Sequence, residues 1–227
     1  PEGQTVLLSG TSGTGKTVLS LQWRLEGVKR FDENAVYISA TEPVSKIIRN
    51  ARTFDFYSDS FRDSRLHFND LRSMSRLIDV EGKLQNREHI EELVKSFSSV
   101  IEKTGAKRMV LDSITALGYM IDDRELFRYF IFRLGIVLGE LDCTVFLTSE
   151  SEEGKNSVFG IEDFICDGII SLKRVKGTDR MIREMEIVKM RGLEFRTGSV
   201  RYEIQGSGRR VYPKIHVDKN VEDTNFE

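Results

Sequence analysis

The sequence contains no apolar run near the ~18 residues that a membrane-spanning helix requires. Its first residues also lack the basic and then apolar pattern of a secretory signal. We therefore expect a cytoplasmic protein with no membrane partner. Cysteine is scarce too, because Cys143 and Cys166 stand far apart and neither belongs to a C-x-x-C motif. This excludes a disulfide framework and gives no sign of a zinc site, so both thiols are expected to be buried and reduced.

The rest of the composition is that of an ordinary globular protein, with 39% hydrophobic and 31% charged residues in a chain of 227. Disordered and disulfide-rich miniature classes are thereby excluded. The formal net charge of −2 provides no overall attraction to nucleic acid. Segment 173–214 nevertheless carries twelve Lys or Arg residues against five Asp or Glu. Anionic ligands are therefore expected in the C-terminal third.

A glycine-rich motif stands near the start of the chain. Residues 5–9 are typical of a buried strand, and the apolar spacing that begins at Val18 is typical of a helix. The segment between them satisfies G-x-x-x-x-G-K-[ST], with Gly10, Thr11, Ser12, Gly13, Thr14, Gly15, Lys16 and Thr17. Glycines let backbone N–H groups curl around a phosphate, and the helix N-terminus adds its positive dipole end. A dinucleotide-binding fingerprint does not fit, because the third glycine is missing at the required spacing.

This motif predicts a nucleotide site and assigns its residues. Lys16 is expected to reach the β- and γ-phosphates, and the Thr17 hydroxyl is placed to ligate Mg²⁺. Val18, the next residue, is included with the cofactor-binding segment.

Strand-like and helix-like segments alternate along the rest of the chain, which predicts an α/β fold with a mainly parallel central sheet. Strands are predicted at 35–40, 65–69, 107–113 and 144–149, and helices at 44–54, 87–103 and 126–141. Residues 168–172 and 184–189 predict a C-terminal β-hairpin that turns near 176–180. Segment 70–86 has no clear pattern, and we interpret it as a lid or a subunit contact.

Asp112 is the second residue that indicates nucleotide chemistry. It ends an apolar strand, and an aspartate at the C-terminal end of the strand neighbouring the glycine loop can hold the Mg²⁺ shell. By itself this pattern also fits a strand that enters a turn. With the phosphate motif upstream, the metal interpretation is favoured.

Six segments, in one order, resemble the KaiC-type branch of the RecA-superfamily ATPases: 10–17, 36–51, 109–117, 147–150, 160–168 and 189–192. The resemblance covers nearly the whole chain. It implies a three-layer RecA-like P-loop fold, an ATPase that uses ATP and Mg²⁺, and a homo-oligomeric ring, usually a hexamer, with ATP between neighbouring subunits. It also implies a single domain over 1–227 that lacks the family's short N-terminal lead-in. The polar tail at 217–227 is expected to be flexible.

The resemblance assigns further site residues. Glu42 is the candidate for positioning or deprotonating the attacking water, although an acid here also favours the start of a helix. The family commonly has two adjacent glutamates at this place, and here the first is Thr41, which predicts slow hydrolysis. Ser149 and Glu150 resemble the family's sensor of phosphate state.

Two cations near the C-terminus complete the predicted site. Lys189 and Arg191 lie two residues apart on a predicted strand, so their side chains share one face. By resemblance they address the γ-phosphate held by the next subunit. The alternative is a solvated cationic strand, or pairing with Glu184 and Glu186.

Two other function classes remain open from the sequence. A RecA/RadA-like recombination ATPase would place basic loops towards DNA. Loop 151–160 instead contains two acids, Glu152 and Glu153, and a single basic residue, Lys155, which disfavours nucleic acid. A nucleotide-gated assembly protein would bind ATP with negligible turnover. The favoured function is a regulatory or signalling ATPase with an unidentified protein partner.

Overall fold

The computed structural model describes residues 2–59, 65–74, 83–121, 123–151, 155–178 and 180–212. Within these ranges, nine strands form one sheet: β1 (Thr5–Gly10), β2 (Asn34–Ser39), β3 (Leu66–Asp70), β4 (Ala106–Asp112), β5 (Thr144–Ser149), β6 (Gly168–Lys176), β7 (Met181–Met190), β8 (Val200–Gln205) and β9 (Gly208–Tyr212). The same ranges contain six α-helices: α1 (Lys16–Phe31), α2 (Val44–Ala51), α3 (Leu71–Met74), α4 (Arg87–Thr104), α5 (Ile114–Met120) and α6 (Arg124–Glu140). Among these residues, no helix combines the length and apolar character needed to cross a bilayer.

The strand order is β3-β2-β4-β5-β1-β6-β7-β8-β9. The strands from β3 to β6 are parallel, and β7, β8 and β9 continue the sheet in antiparallel hairpins. The predicted α/β fold with a C-terminal hairpin extension is therefore confirmed. One expectation was wrong: β4, which ends in Asp112, does not neighbour β1, because β5 lies between them.

Helices cover both faces of the sheet and produce three layers. Along each central strand, alternate residues enter different cores, since successive strand side chains point to opposite faces. On β1, Leu7 packs with α4, α5 and α6, whereas Val6 and Leu8 pack with α1 and α2. Cys143 and Cys166 are buried and free, as predicted.

Several boundaries differ from the sequence predictions. The hairpin of β6 and β7 is longer than expected, and its turn is closed where the Gly177 amide donates to the Arg180 carbonyl, 2.9 Å away. Neither α5 nor the second hairpin, β8–β9, was predicted. Residues 75–82 of the suggested lid, and the tail at 217–227, lie outside the described residues, so both interpretations stay predictions.

Candidate functional site

The glycine-rich loop joins the end of β1 to the start of α1. Gly13 and Gly15 have φ angles of 77° and 89°, which side chains other than glycine rarely adopt. A Cβ on Gly15 would lie 2.5 Å from Ile204 Cδ1, and one on Gly10 would lie 2.6 Å from the Leu172 carbonyl oxygen. The loop therefore has no room for side chains on the side that faces the protein, while Thr11, Ser12 and Gly13 are exposed on the other.

Lys16 begins α1 and folds back over the loop. Its Nζ donates to the carbonyl oxygens of Gly10, at 2.6 Å, and Thr11, at 3.2 Å. Burial lowers the pKa of this ammonium, while the negative charges of Glu150 and Asp112 act in the opposite direction. Lys16 thus holds a positive charge at the mouth of a loop lined with backbone amides, which is the arrangement that a polyphosphate requires.

Asp112 and Thr17 meet at the carboxyl edge of the sheet, as the sequence predicts. The Thr17 hydroxyl donates to Asp112 Oδ2 over 3.1 Å, and the Thr148 hydroxyl donates to Oδ1 over 2.6 Å. Thr148 is supplied by β5, the strand that separates β4 from β1. Asp112 is buried, so these donors compensate for much of its lost hydration.

Tyr37 is a site residue that the sequence analysis missed. Its hydroxyl donates to Asp112 Oδ2 from β2, the neighbour of β4. Behind it lies the fully buried Arg24, whose Cζ is 5.1 Å from the Tyr37 ring centroid and 4.0 Å from that of Phe68. Burial lowers the pKa of Arg24 to about 9. The Asp112 carboxylate is therefore fixed by hydroxyls from three separate elements, with a buried cation beyond them.

The donor set fits Mg²⁺ together with a polyphosphate. Among the described residues, no group of three or more His, Cys, Asp and Glu side chains could hold a metal alone. Mg²⁺ is usually bound by one or two protein groups and completes its shell with phosphate oxygens and water. Thr17 and Asp112 would hold it here, and the loop would hold the phosphates.

Glu42 lies beyond β2, at the same edge of the sheet. Ser39 pairs with Asp112 in the ladder, and its hydroxyl accepts from the Glu42 amide at 3.1 Å. The Glu42 carboxylate forms an ion pair of 2.7 Å with Lys46, one turn along α2. Glu42 therefore shares an edge of the sheet with Asp112 and also lies just before α2, where an acid favours the start of a helix, so its catalytic role stays a prediction.

The predicted sensor residues bind each other and α5. The Ser149 hydroxyl lies 3.1 Å from the Thr115 hydroxyl, which accepts from the Glu150 amide at 2.9 Å. Ser149 is buried and Glu150 is exposed. Ser149 therefore belongs to this network, and the charge of Glu150 raises the pKa of Lys16 against the larger effect of burial.

Lys189 and Arg191 are not at the loop. Arg191 follows β7 and forms an ion pair with Asp167, whose carboxylate accepts from the Thr5 amide at the start of β1. The loop follows the other end of β1, which is six residues long, so it lies roughly 17 Å from Asp167. Lys189 Nζ donates to the Cys166 carbonyl at 2.6 Å. Glu184 and Glu186 bond instead with Ser199 and Lys173. The alternative pairing considered for the two cations is therefore wrong, and neither cation can reach the loop of its own chain.

The second hairpin, β8–β9, contacts the loop on the side that faces the protein. Tyr202 on β8 and Arg209 on β9 donate to the carbonyl oxygens of Thr14 and Gly15. Neither residue was predicted. Together, the fold and the loop geometry define a P-loop nucleotide-binding protein.

Comparisons with known proteins identify the family. The family model described as "ATPase: KaiC" matches residues 1–216. The chain therefore belongs to the KaiC ATPase family, and the resemblance stated from the sequence is confirmed.

The chain is similar to full-length proteins and to a solved structure. It is 34% identical over 216 residues to a circadian clock oscillator protein KaiC from Nostoc, and 31% identical over 220 residues to that of Synechococcus elongatus. Each alignment covers 94% of this chain and 41% of the relative. A KaiC-like protein from the archaeon Pyrococcus horikoshii superposes with a TM-score of 0.81 and 28% identity, covering 94% of this chain and 91% of the other.

Proposed function

We propose that this chain is a single ATPase domain that binds Mg-ATP on the 10–17 loop and assembles into a ring with ATP between subunits. The observation that carries the proposal is the division of charged groups between two edges of the sheet. Lys16 and Asp112 stand at one edge, while Lys189 and Arg191 stand at the other. A second subunit in head-to-tail contact would bring the second pair onto the first, and a repeated contact of this kind forms a ring when its rotation closes.

Hydrolysis of ATP requires charge neutralisation and an aligned water more than covalent help from the protein. Bound Mg²⁺ would neutralise negative charge on the phosphates. Lys16 binds the phosphate chain, Asp112 and Thr17 hold the metal position, and Glu42 orients the attacking water. In this proposal, Lys189 and Arg191 of the neighbouring subunit stabilise the charge that develops on the transferred phosphoryl group.

Light scattering with and without Mg-ATP tests the assembly. We expect a small species without nucleotide and a ring, most simply a hexamer, with Mg-ATP, because only the nucleotide links the two charged edges. A single-subunit mass at saturating Mg-ATP would contradict the ring. Binding of ATP without assembly would still leave the loop assignment intact.

Turnover is expected to be slow because Thr41 stands where the family resemblance implies a second acid. We expect Thr41→Glu to raise phosphate release several-fold, and Glu42→Gln to lower it by about 10² with ATP affinity unchanged. Phosphate release under saturating Mg-ATP measures both. Glu26→Gln is a matched control, since Glu26 forms an ion pair with Arg30 four residues along α1, as Glu42 does with Lys46. Should Glu42→Gln lower the melting temperature and spare turnover, Glu42 merely supports α2.

A regulatory role follows from the relatives that are named clock oscillator proteins. We propose that this chain has a regulatory or signalling role towards an unidentified protein partner. Slow turnover suits such a role, because each nucleotide state then persists.

A further inference from the structure

The hairpin of β8 and β9 carries a buried tyrosine and a buried arginine directly behind the phosphate-binding loop. Tyr202 is 2% exposed, and its hydroxyl donates to the Thr14 carbonyl over 2.6 Å. Arg209 Nη2 donates to the Gly15 carbonyl over 2.9 Å. The guanidinium stacks on the tyrosine, with 4.2 Å from Cζ to the ring centroid. These contacts join the second hairpin to the phosphate-binding loop.

Each of these two carbonyls shares a peptide group with an N–H of the loop that can bind phosphate, either that of Gly15 or that of Lys16. In a planar trans peptide, the C=O of one residue and the N–H of the next point in opposite directions. A Thr14 carbonyl held towards Tyr202 therefore directs the Gly15 N–H away from the hairpin. A Gly15 carbonyl held towards Arg209 does the same for the N–H of Lys16. Both amides then face the open side of the loop.

The environment of Arg209 shows that its placement has an energetic cost. Burial lowers the pKa of Arg209 to about 10, and its Nε is a buried N–H without a hydrogen-bond partner among the described residues. Its backbone N–H donates to Gln22 Oε1 on α1, at 2.8 Å. A purely structural hairpin could place an apolar side chain here at lower cost. The retained charge points to a role at the loop.

We infer that Tyr202 and Arg209 are positioning residues of the nucleotide site, which hold the 14–15 and 15–16 peptides in the orientation that binds phosphate. The inference rests on the proposed ATP binding. It makes these two residues of the second hairpin part of the binding machinery, although they act from behind the loop. Loss of the Tyr202 contact frees the 14–15 peptide to rotate, so phosphate binding has to reorder it. The Gly15 carbonyl also accepts from the Leu19 amide at 3.0 Å, so loss of Arg209 removes the charged one of its two donors and loosens the 15–16 peptide.

The variants Tyr202→Phe and Arg209→Gln, studied in the full chain by calorimetry at fixed Mg²⁺, test the inference. We expect ATP, ADP and inorganic tripolyphosphate all to bind more weakly by similar factors. The loss is about 3–10-fold for Tyr202→Phe, which removes a neutral hydrogen bond, and about 10–100-fold for Arg209→Gln, which removes a charged one. Arg209→Lys retains a donor and should recover part of the affinity.

The same hairpin offers a matched control pair on its outer surface. Tyr212 donates to Glu203 at 3.1 Å, and Arg210 lies 5.7 Å from the Tyr212 ring, so the same two residue types occur away from the loop. Tyr212→Phe and Arg210→Gln should leave all three affinities unchanged.

Three results would overturn the inference. The first is unchanged affinity in both inner variants while the parent protein binds ATP. The second is a loss for ATP that spares tripolyphosphate, which would place the defect at the base. The third is an equal loss in the outer variants, which would reflect hairpin stability alone. Absence of ATP binding by the parent protein would instead refute the proposed function together with this inference.

Discussion

Lys16→Ala is expected to abolish measurable ATP binding, with a loss of at least about 100-fold in affinity. The substitution removes a charge-assisted contact to phosphate together with the hydrogen bonds by which Lys16 stabilises the loop. Lys16 contacts two loop carbonyls and carries the positive charge at the loop mouth. Removing it leaves the amide dipoles without a full charge for the β- and γ-phosphates. Calorimetry with Mg-ATP measures the loss.

The matched control for this variant is Lys107→Ala. Lys107 pairs with Asp142 at the opposite edge of the sheet, far from the loop. Circular dichroism would verify that both variants fold. Tight ATP binding by Lys16→Ala would show that the 10–17 loop is not a phosphate site, and the proposed function would then be wrong.

Lys189→Ala/Arg191→Ala is expected to bind ATP as the parent does and to hydrolyse it about 10³-fold more slowly, the lower limit for a trans-acting arginine. Both cations lie too far from the loop of their own chain to bind its nucleotide. Their loss therefore spares binding and removes only the groups supplied across the subunit contact. Phosphate release and calorimetry on the same preparation separate the two effects.

Mixing variants decides whether the cations act across subunits. In an equimolar mixture of Lys16→Ala and the double variant, roughly a quarter of the contacts in a random ring pair an intact loop with intact cations. Phosphate release should therefore return to a measurable fraction of the parent rate, although each variant alone is inactive. An inactive mixture, with mixed assembly verified by mass spectrometry, would refute the trans arrangement.

Local sequence patterns predict those parts of the site that one segment builds. The strand, the glycine loop and α1 are contiguous, so spacing alone places Lys16 and Thr17. Asp112 could also be predicted, since a parallel sheet brings the C-terminal ends of its strands to one edge. Its separation from β1 by β5 could not, because strand order depends on long-range packing that no local pattern encodes. For the same reason, the contact from Tyr37 to Asp112 was not foreseen.

The second hairpin was missed for a different reason. Residues 200–205 alternate Val200, Tyr202 and Ile204 with polar residues, and the glycines at 206 and 208 mark a turn. This pattern is typical of a β-hairpin, so the second hairpin is predictable from local sequence. The roles of Tyr202 and Arg209 required the structure, because their acceptors are backbone carbonyls almost two hundred residues away.

Strand β7 has contacts near both of its ends. Near its start, Arg183 Nε lies 3.5 Å from the Gly13 carbonyl, and near its end Lys189 is bound to the Cys166 carbonyl. In a ring of the proposed kind, this one strand would connect the phosphate-binding loop of its own subunit with a cation that addresses the nucleotide of the next. Communication between neighbouring sites would then need no separate hinge, because a movement of β7 would reach both.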